Sequence, residues 1–346
     1  MAWAARIEAA LTRRWWRQRP DLIDLLLLRP LAALHGAVLA LRRLLYALGW
    51  WRTEAAPVPV IVVGNLVAGG AGKTPTVMAL VEVLRRAGWT PGVISRGHGR
   101  KGVAPAAVRA DSNAREVGDE PLLIHRRSGA PVWVARRRID AARGLCAAHP
   151  QVDVLVADDG LQHLALARAL QLIVFDERGI GNGRLLPAGP LRQPMPRHVP
   201  VNSHVLYNAA QPSTPWPGSL AQRRLAGAVS LADWWQGRPA TADALQALRG
   251  RPLLAVAGMA APQRFFDMLR AEGLTLDTLA LDDHHAFDTL PWPPGTPDVL
   301  VTEKDAVKLP PQAAGGTRVW VVALDFQLPQ DFCDDVLDNL RQVIRP

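Results

Sequence analysis

The apolar positions of this chain fall into short unbroken runs separated by glycine, proline and acidic punctuation. Between residues 57 and 210 the runs lie at 60–64, 93–95, 131–134, 152–157, 172–175 and 204–206. Each is too short for a helix and, Ser95, Asp153 and His204 apart, apolar throughout, as expected of a strand buried on both faces. Helical patterns separate the first of them, from about Thr74 to Arg86 and again from Pro121 onward. Strands alternating with helices in this way predict a parallel sheet covered on both sides. The stretch 211–218 is rich in Pro, Ser and Thr and reads as a linker. A second α/β pattern follows it, with strands at 253–257, 299–301 and 319–322, a helix over 262–272 and a terminal helix over 331–341.

The first 56 residues follow a different pattern. Arg13, Arg14, Trp15, Trp16, Arg17 and Arg19 form a basic, aromatic cluster, and a largely apolar stretch runs from Leu25 to Trp51. Arginines interrupt it at Arg29, Arg42 and Arg43, leaving a charge-free run at 31–41 that is shorter than the about 20 residues a bilayer crossing needs. Leucines at helical spacing, arginines at the borders and tryptophans at the ends predict a helix lying in a membrane interface, its arginines reaching lipid phosphates. An amphipathic helix packed on the domain would give a similar pattern.

Composition narrows the class. Apolar residues make up 49% and charged residues 21% of the chain, the proportions of a globular protein. Two cysteines, Cys146 and Cys333, lie far apart, which excludes a disulfide framework or a cysteine-built metal centre. The formal charge of +9 comes almost wholly from arginine spread along the chain. No aromatic-and-basic RNA motif, zinc finger or helix-turn-helix signature accompanies it, so no nucleic-acid partner is expected. Lysine occurs only at Lys73, Lys101, Lys304 and Lys308. In a chain that otherwise writes arginine, a lysine marks a place where a compact ammonium is wanted.

Lys73 falls in the first such place. The strand at 60–64 runs into Gly69, Gly70, Ala71, Gly72, Lys73 and Thr74, and a helix follows. Strand, glycine turn and helix make an anion site, because backbone N–H groups and the helix N-terminus face the phosphate. Lys73 would reach the β- and γ-phosphates of a nucleoside triphosphate, and the Thr74 hydroxyl would help to hold Mg²⁺. The common spacing would put glycine where Val67 stands, so the loop is of a compact form. The fold class expected is therefore α/β: a P-loop NTPase-like parallel-sheet domain at 57–210, a linker at 211–218, and a smaller α/β domain at 219–346. An N-terminal membrane-interface helix lies within 1–56.

Other residues are placed for chemistry. Asp158 and Asp159 end a buried strand, where carboxylates can hold Mg²⁺ directly or through water. Asp119, in Gly-Asp-Glu-Pro, reads equally as a helix cap or as the base that takes a proton from an attacking hydroxyl. His284 and His285 are adjacent and do not share a helix face, so they make a poor zinc site; one could orient a carboxylate. The arginine-bearing glycine loops at 95–100 and 181–192 suit phosphate or sugar contacts.

In chain order these motifs are VGNLVAGGAGKTP (63–75), SRGHGR (95–100), GDEP (118–121), DDGLQH (158–163), GNGRLLPAGPLR (181–192), DDHHAF (282–287) and TEKDAVK (302–308). The set resembles the tetraacyldisaccharide 4′-kinases of lipid A biosynthesis. That resemblance implies an ATP- and Mg²⁺-dependent lipid kinase that phosphorylates the 4′-hydroxyl of a tetraacylated glucosamine disaccharide 1-phosphate to give lipid IVA. It implies a monomer on the anionic cytoplasmic face of the bacterial inner membrane, acting on a lipid disaccharide. It further implies that Asp119 is the general base and that His284, or alternatively His285, supports it. Asp158 and Asp159 match a Mg²⁺-binding pair, and Arg192 an arginine of the active-site region. Three positions depart from the family pattern: Ala71 where the loop often has Thr or Ser, His98 in place of Tyr, and Gln193 where an acidic residue is common.

Overall fold

A computed structural model of the chain describes residues 14–16 and 21–344. Arg13, Arg17 and Arg19 of the basic cluster lie outside the described residues. The strands, in chain order, are β1 (Val60–Gly64), β2 (Pro91–Ser95), β3 (Ala106–Val108), β4 (Val132–Val134), β5 (Val154–Asp158), β6 (Leu170–Asp176) and β7 (Ser203–Asn208). They continue as β8 (Ser219–Leu220), β9 (Gln222–Ser230), β10 (Leu253–Ala257), β11 (Leu276–Ala280), β12 (Asp298–Thr302) and β13 (Arg318–Gln327).

The chain folds as two compact units that do not follow the linear boundaries. One unit draws on residues up to 96, 137–221 and 328 onward; the other on 97–136 and 222–327. The segment 97–136, expected with the first domain, therefore belongs with the later residues, and the terminal helix Gln330–Ile344 belongs with the earlier ones. Compactness follows contacts in space rather than contiguity in sequence. An amphipathic helix at the end of a chain goes wherever an apolar face is open to it.

In the first unit the strand order is β2-β5-β1-β6-β7-β8, all parallel. β1 is buried at every residue, as its unbroken Val-Ile-Val-Val run requires. Each such side chain contributes about 1.5–3 kcal/mol by leaving water. Val63 is level with Asp158 in the β1–β5 register. The loop that follows β1 and the aspartates that end β5 thus emerge at the same edge of the sheet, the carboxyl end where ligands of such sheets bind.

The second unit has the order β11-β10-β12-β13-β9. β11, β10, β12 and β13 are parallel, whereas β9 is antiparallel to β13 with a register shift at Ala323/Leu324. Ala255, Phe266, Leu269 and Leu300 form part of its core. The sequence pattern does not predict β9 or β11. Both are edge strands with exposed positions, and arginines at Arg223 and Arg224 break the apolar run of β9, so neither carries the signature of a buried strand. β3 and β4 form a short antiparallel pair, and the helix Asp119–Ser128 packs against them and against the short helix Glu303–Ala306.

The N-terminal helix is continuous over Asp24–Ala47, with a π-helical turn at its start. Its inner face docks on the 181–192 loop: Leu28 and Ala32 pack on Leu185 and Ala188, and His35 Nδ1 lies 3.0 Å from the Leu186 carbonyl oxygen. Arg42 donates to the Gln162 carbonyl at 2.9 Å. The opposite face holds Leu27, Leu31, Leu34, Val38 and Leu41, all exposed to water. The charge-free run at 31–41 is by itself too short to cross a membrane. The helix itself spans 24 residues with a mean hydropathy of 1.6 in its most apolar window, long and apolar enough to cross by length and composition. Isolated arginines interrupt the hydropathy without interrupting the helix.

Candidate active site

Within the first unit the phosphate loop is built by backbone geometry. Gly69 and Gly72 have φ of +94° and +93°, in the left-handed region that other residues enter at a cost. At Gly72, just before the helix Lys73–Arg86, a Cβ would stand 2.3 Å from Asn208 Nδ2. Only glycine fits there. Asn208 donates to the Ala71 carbonyl at 3.3 Å, and Asn65 donates to the Gly69 carbonyl at 3.2 Å. Arg178, gripped by the Asp176 carboxylate at 2.7 and 2.9 Å, donates to the Gly70 carbonyl at 2.9 Å. Three side chains therefore tie down the loop carbonyls, which leaves the loop N–H groups to face an anion.

Lys73 is buried, and its ammonium donates to Asn65 Oδ1 at 3.3 Å and lies 3.7 Å from Asp159 Oδ1. Arg192 Nη1 reaches both Asp159 oxygens, at 2.9 and 3.0 Å. Burial pushes the Asp159 carboxyl up, but Lys73, Arg192 and Arg138 outweigh it and hold the group below the usual carboxylate range. Asp159 stands at φ +47°, and Arg138 fastens the turn by donating to its carbonyl at 2.8 Å. Asp158 is buried and receives a hydrogen bond from Ser95 at 3.3 Å. The structure thus brings Lys73, Asp159 and Arg192 together, with Asp158 beside them on the same strand end.

These residues suit a hard cation. Two carboxylates and the Thr74 hydroxyl are oxygen donors, which favour Mg²⁺ over softer metals. No cluster of three or more His, Cys, Asp or Glu able to hold a metal occurs among the described residues. A cation here would complete its shell with phosphate oxygens and water, as Mg²⁺ does.

The second unit holds a separate constellation. Gly118, at φ +97°, turns the chain into the helix Asp119–Ser128. Asp119 is buried and is itself the first residue of that helix, whose N-cap is Gly118, so the capping reading does not hold. Oδ1 accepts the Glu120 N–H at 2.9 Å, while Oδ2 lies 2.8 Å from His284 Nδ1. His285 turns away and packs edge-on against Phe287, with ring centroids 4.9 Å apart. Burial pushes the Asp119 carboxyl up, but the His284 hydrogen bond and the charge of Lys304 prevail and hold it down at about 2. The His284 imidazole is raised, chiefly by its bond to Asp119. Its backbone stands at φ +60°, a conformation that costs of order 1 kcal/mol and that persists here under restraint from its neighbours. A cavity of about 640 Å³ opens beside the pair, lined in part by His98, Arg115, Asp119, His284, Phe287 and Lys308. His98, the departure from the family Tyr, has its ring 5.6 Å from that of His284.

Several residues that build these sites carried no signal of their own in the sequence. Asn208 and Arg178, the latter held by Asp176, act on the phosphate loop from strand ends remote in sequence, and Asn65 acts from just beyond β1. Arg138 carried none either. Lys304 was marked by the scarcity of lysine and by its place in TEKDAVK, without a partner to give it a role.

A parallel α/β sheet whose first strand feeds a glycine loop, a buried lysine and a helix defines a P-loop nucleotide-binding protein. A family model described as Tetraacyldisaccharide-1-P 4'-kinase matches residues 25–341, and the chain belongs to that family. It is 58% identical over 327 residues to the tetraacyldisaccharide 4'-kinase of Methylibium petroleiphilum, covering 93% of this chain and 90% of the relative. It is 57% identical over 317 residues to the protein of that name from Leptothrix cholodnii, covering 90% and 91%. The crystal structure of LpxK from Aquifex aeolicus in complex with ATP shares the fold, with a TM-score of 0.72 at 24% identity over 91% of this chain and 97% of that one.

Proposed function

We propose that the chain transfers the γ-phosphate of ATP to the 4′-hydroxyl of tetraacyldisaccharide 1-phosphate, forming lipid IVA in lipid A biosynthesis. The observation that carries this reading is the Asp119–His284 pair beside a cavity, in a chain that also builds a phosphate loop. Phosphoryl transfer asks little covalent chemistry of a protein; placement and charge neutralisation supply most of the rate.

The N–H groups of Gly69, Gly70, Ala71, Gly72, Lys73 and Thr74 cradle the nucleotide phosphates, and Lys73 and Arg192 offset charge that builds as the γ-phosphoryl group moves. Asp158, Asp159 and Thr74 would hold Mg²⁺, which would further neutralise the phosphate oxygens. Asp119 takes the proton of the attacking hydroxyl through Oδ2, and His284 orients that carboxylate and bears on its charge. Ala71 forfeits the side-chain hydroxyl that many family members carry at this point of the loop, so its contribution is the backbone N–H alone.

The exposed leucine face of the N-terminal helix supports attachment to the cytoplasmic face of the bacterial inner membrane, where an anionic surface would meet its arginines. A substrate with four acyl chains stays in the bilayer, since each buried CH₂ is worth about 0.8 kcal/mol. The helix docks on the 181–192 loop, which ends at Arg192, so in this reading the anchor lies beside the donor-side machinery. The chain acts as a monomer in this reading. Transfer of labelled γ-phosphate to lipid disaccharide 1-phosphate in detergent micelles tests it. ATP turnover indifferent to that acceptor would point instead to a regulatory NTPase.

A further inference from the structure

We propose that Lys304 is a positioning residue whose ammonium holds the His284 ring in the tautomer with its hydrogen on Nδ1, turned toward Asp119. The inference rests on the reading of Asp119 as the base and gives a use to the TEKDAVK motif, which that reading leaves idle.

Lys304 lies in the first turn of the short helix that follows β12. Its Nζ is 2.9 Å from Asp283 Oδ1, 3.4 Å from Glu120 Oε1 and 3.5 Å from His284 Nε2. An ammonium has three donors and no acceptor. A hydrogen on Nε2 would therefore face a donor, and the carboxylate oxygen beside it, Asp283 Oδ1 at 3.9 Å, is already engaged by Lys304. The Nε2 lone pair stays on the lysine side, and the hydrogen goes to Nδ1, which donates to Asp119 Oδ2 at 2.8 Å.

The remaining charged and titratable groups around the ring fit this arrangement. Asp119 and Glu120 face it from the helix Asp119–Ser128, Asp283 and His285 flank it on its own loop, and His98 approaches from the glycine loop. Lys308 is engaged with Asp305 at 3.0 Å. The acidic neighbours Glu120, Asp283 and Asp119 more than offset the burial of Lys304 and raise its ammonium above the ordinary lysine range. It stays charged throughout the range in which an imidazole titrates. Without that charge, Nε2 is free to take a second proton. The resulting imidazolium would pair with Asp119 and weaken it as a base.

The test compares wild type with Lys304→Met, which removes the charge, and Lys304→Arg, which keeps it. Thermal melts confirm that each variant is folded. The first readout is the ¹⁵N spectrum of the histidines in the full chain, with the His284 signals assigned through His284→Asn. In wild type, His284 is expected as the Nδ1–H tautomer. In Lys304→Met its pKa should rise by on the order of one unit, as the loss of a like charge at this range dictates, while Lys304→Arg stays near wild type. An unchanged His284 titration in Lys304→Met, or an Nε2–H ring in wild type, overturns the proposal. The second readout is the pH profile of kcat/KM for lipid phosphorylation. Its acid limb should move to higher pH with Lys304→Met and lose that dependence on residue 304 in the His284→Asn background. A shifted His284 titration with an unmoved acid limb would uphold the role of Lys304 and remove Asp119 from the role of base. A lysine of merely structural use would lower stability or kcat without moving either titration.

Discussion

The two constellations of this chain are made in different ways. The phosphate loop is a local object: twelve or so consecutive residues, two of them glycines at φ above +90°, give an anion cradle out of backbone N–H groups. The Asp119–His284–Lys304 cluster is a long-range object, with partners 165 and 20 positions apart and every contact made by side chains. A backbone site has fixed partial charges and does not titrate. A side-chain cluster does, so its chemistry depends on which protons it holds. The phosphate loop is thus specified by shape and the Asp119 cluster by protonation.

The largest effects should come from the central residue of each constellation. Asp119→Ala is expected to lower kcat by about 10³-fold, within the range general-base catalysis supplies, with little change in the KM for ATP. Lys73→Ala should lower kcat by about 10²–10³-fold and also weaken ATP binding. Steady-state kinetics with varied ATP separates the two patterns. Identical signatures would dissolve the distinction between donor and acceptor sides.

Next comes the backbone itself. Gly72→Ala puts a Cβ into Asn208 and an alanine at φ +93°, and should cost about 1–3 kcal/mol of stability along with nucleotide affinity. Adding Asn208→Ala should relieve the clash but not the dihedral strain, so only part of the loss returns. Full recovery in thermal melts and nucleotide titrations would show that the glycine is needed for space alone.

The two units should also differ in acid. In the second unit, the folded Asp119 pKa of about 2 lies below its unfolded value. Its contribution is present above pH of about 4 and is lost as pH falls through about 2; the whole is worth about 2 kcal/mol. In the first unit, burial, with Arg138 and Arg42 adding to it, lowers His163 to about 4. That histidine is neutral when folded, so its contribution disappears at milder acidity, as pH falls from about 6.5 to about 4. Urea denaturation at stepped pH should show the first loss abolished by His163→Asn and the second by Asp119→Asn. The smallest effect on folding belongs to the helix face. Leu34→Asp with Leu41→Asp should change stability by no more than about 0.5 kcal/mol, yet reduce binding to anionic vesicles. Unchanged vesicle binding would refute the interfacial reading of that face.

How legible each part was follows from its locality. The buried strands β1, β5 and β6 announce themselves as unbroken apolar runs, and the loop after β1 as glycines at fixed spacing before a lysine. β9 and β11 are half-exposed edges whose pattern resembles loop. Asp119 was legible as a residue of interest but its partner was not, because His284 arrives from far along the chain. Asn208 and Arg178 were invisible for the same reason: a lone polar residue at a strand end acquires meaning only when a loop carbonyl is placed against it.

The sequence by itself determined the α/β architecture, the phosphate loop and the amphipathic leader, all of which rest on periodicity and local backbone preference. Only the tertiary structure decided that His284 rather than His285 meets Asp119 and that Asp159 joins Lys73 to Arg192. It alone decided that residues 97–136 join the unit built from 222–327. Hydrogen bonds and ion pairs act over about 3 Å, and nothing in a linear pattern states which distant side chains will come within that reach.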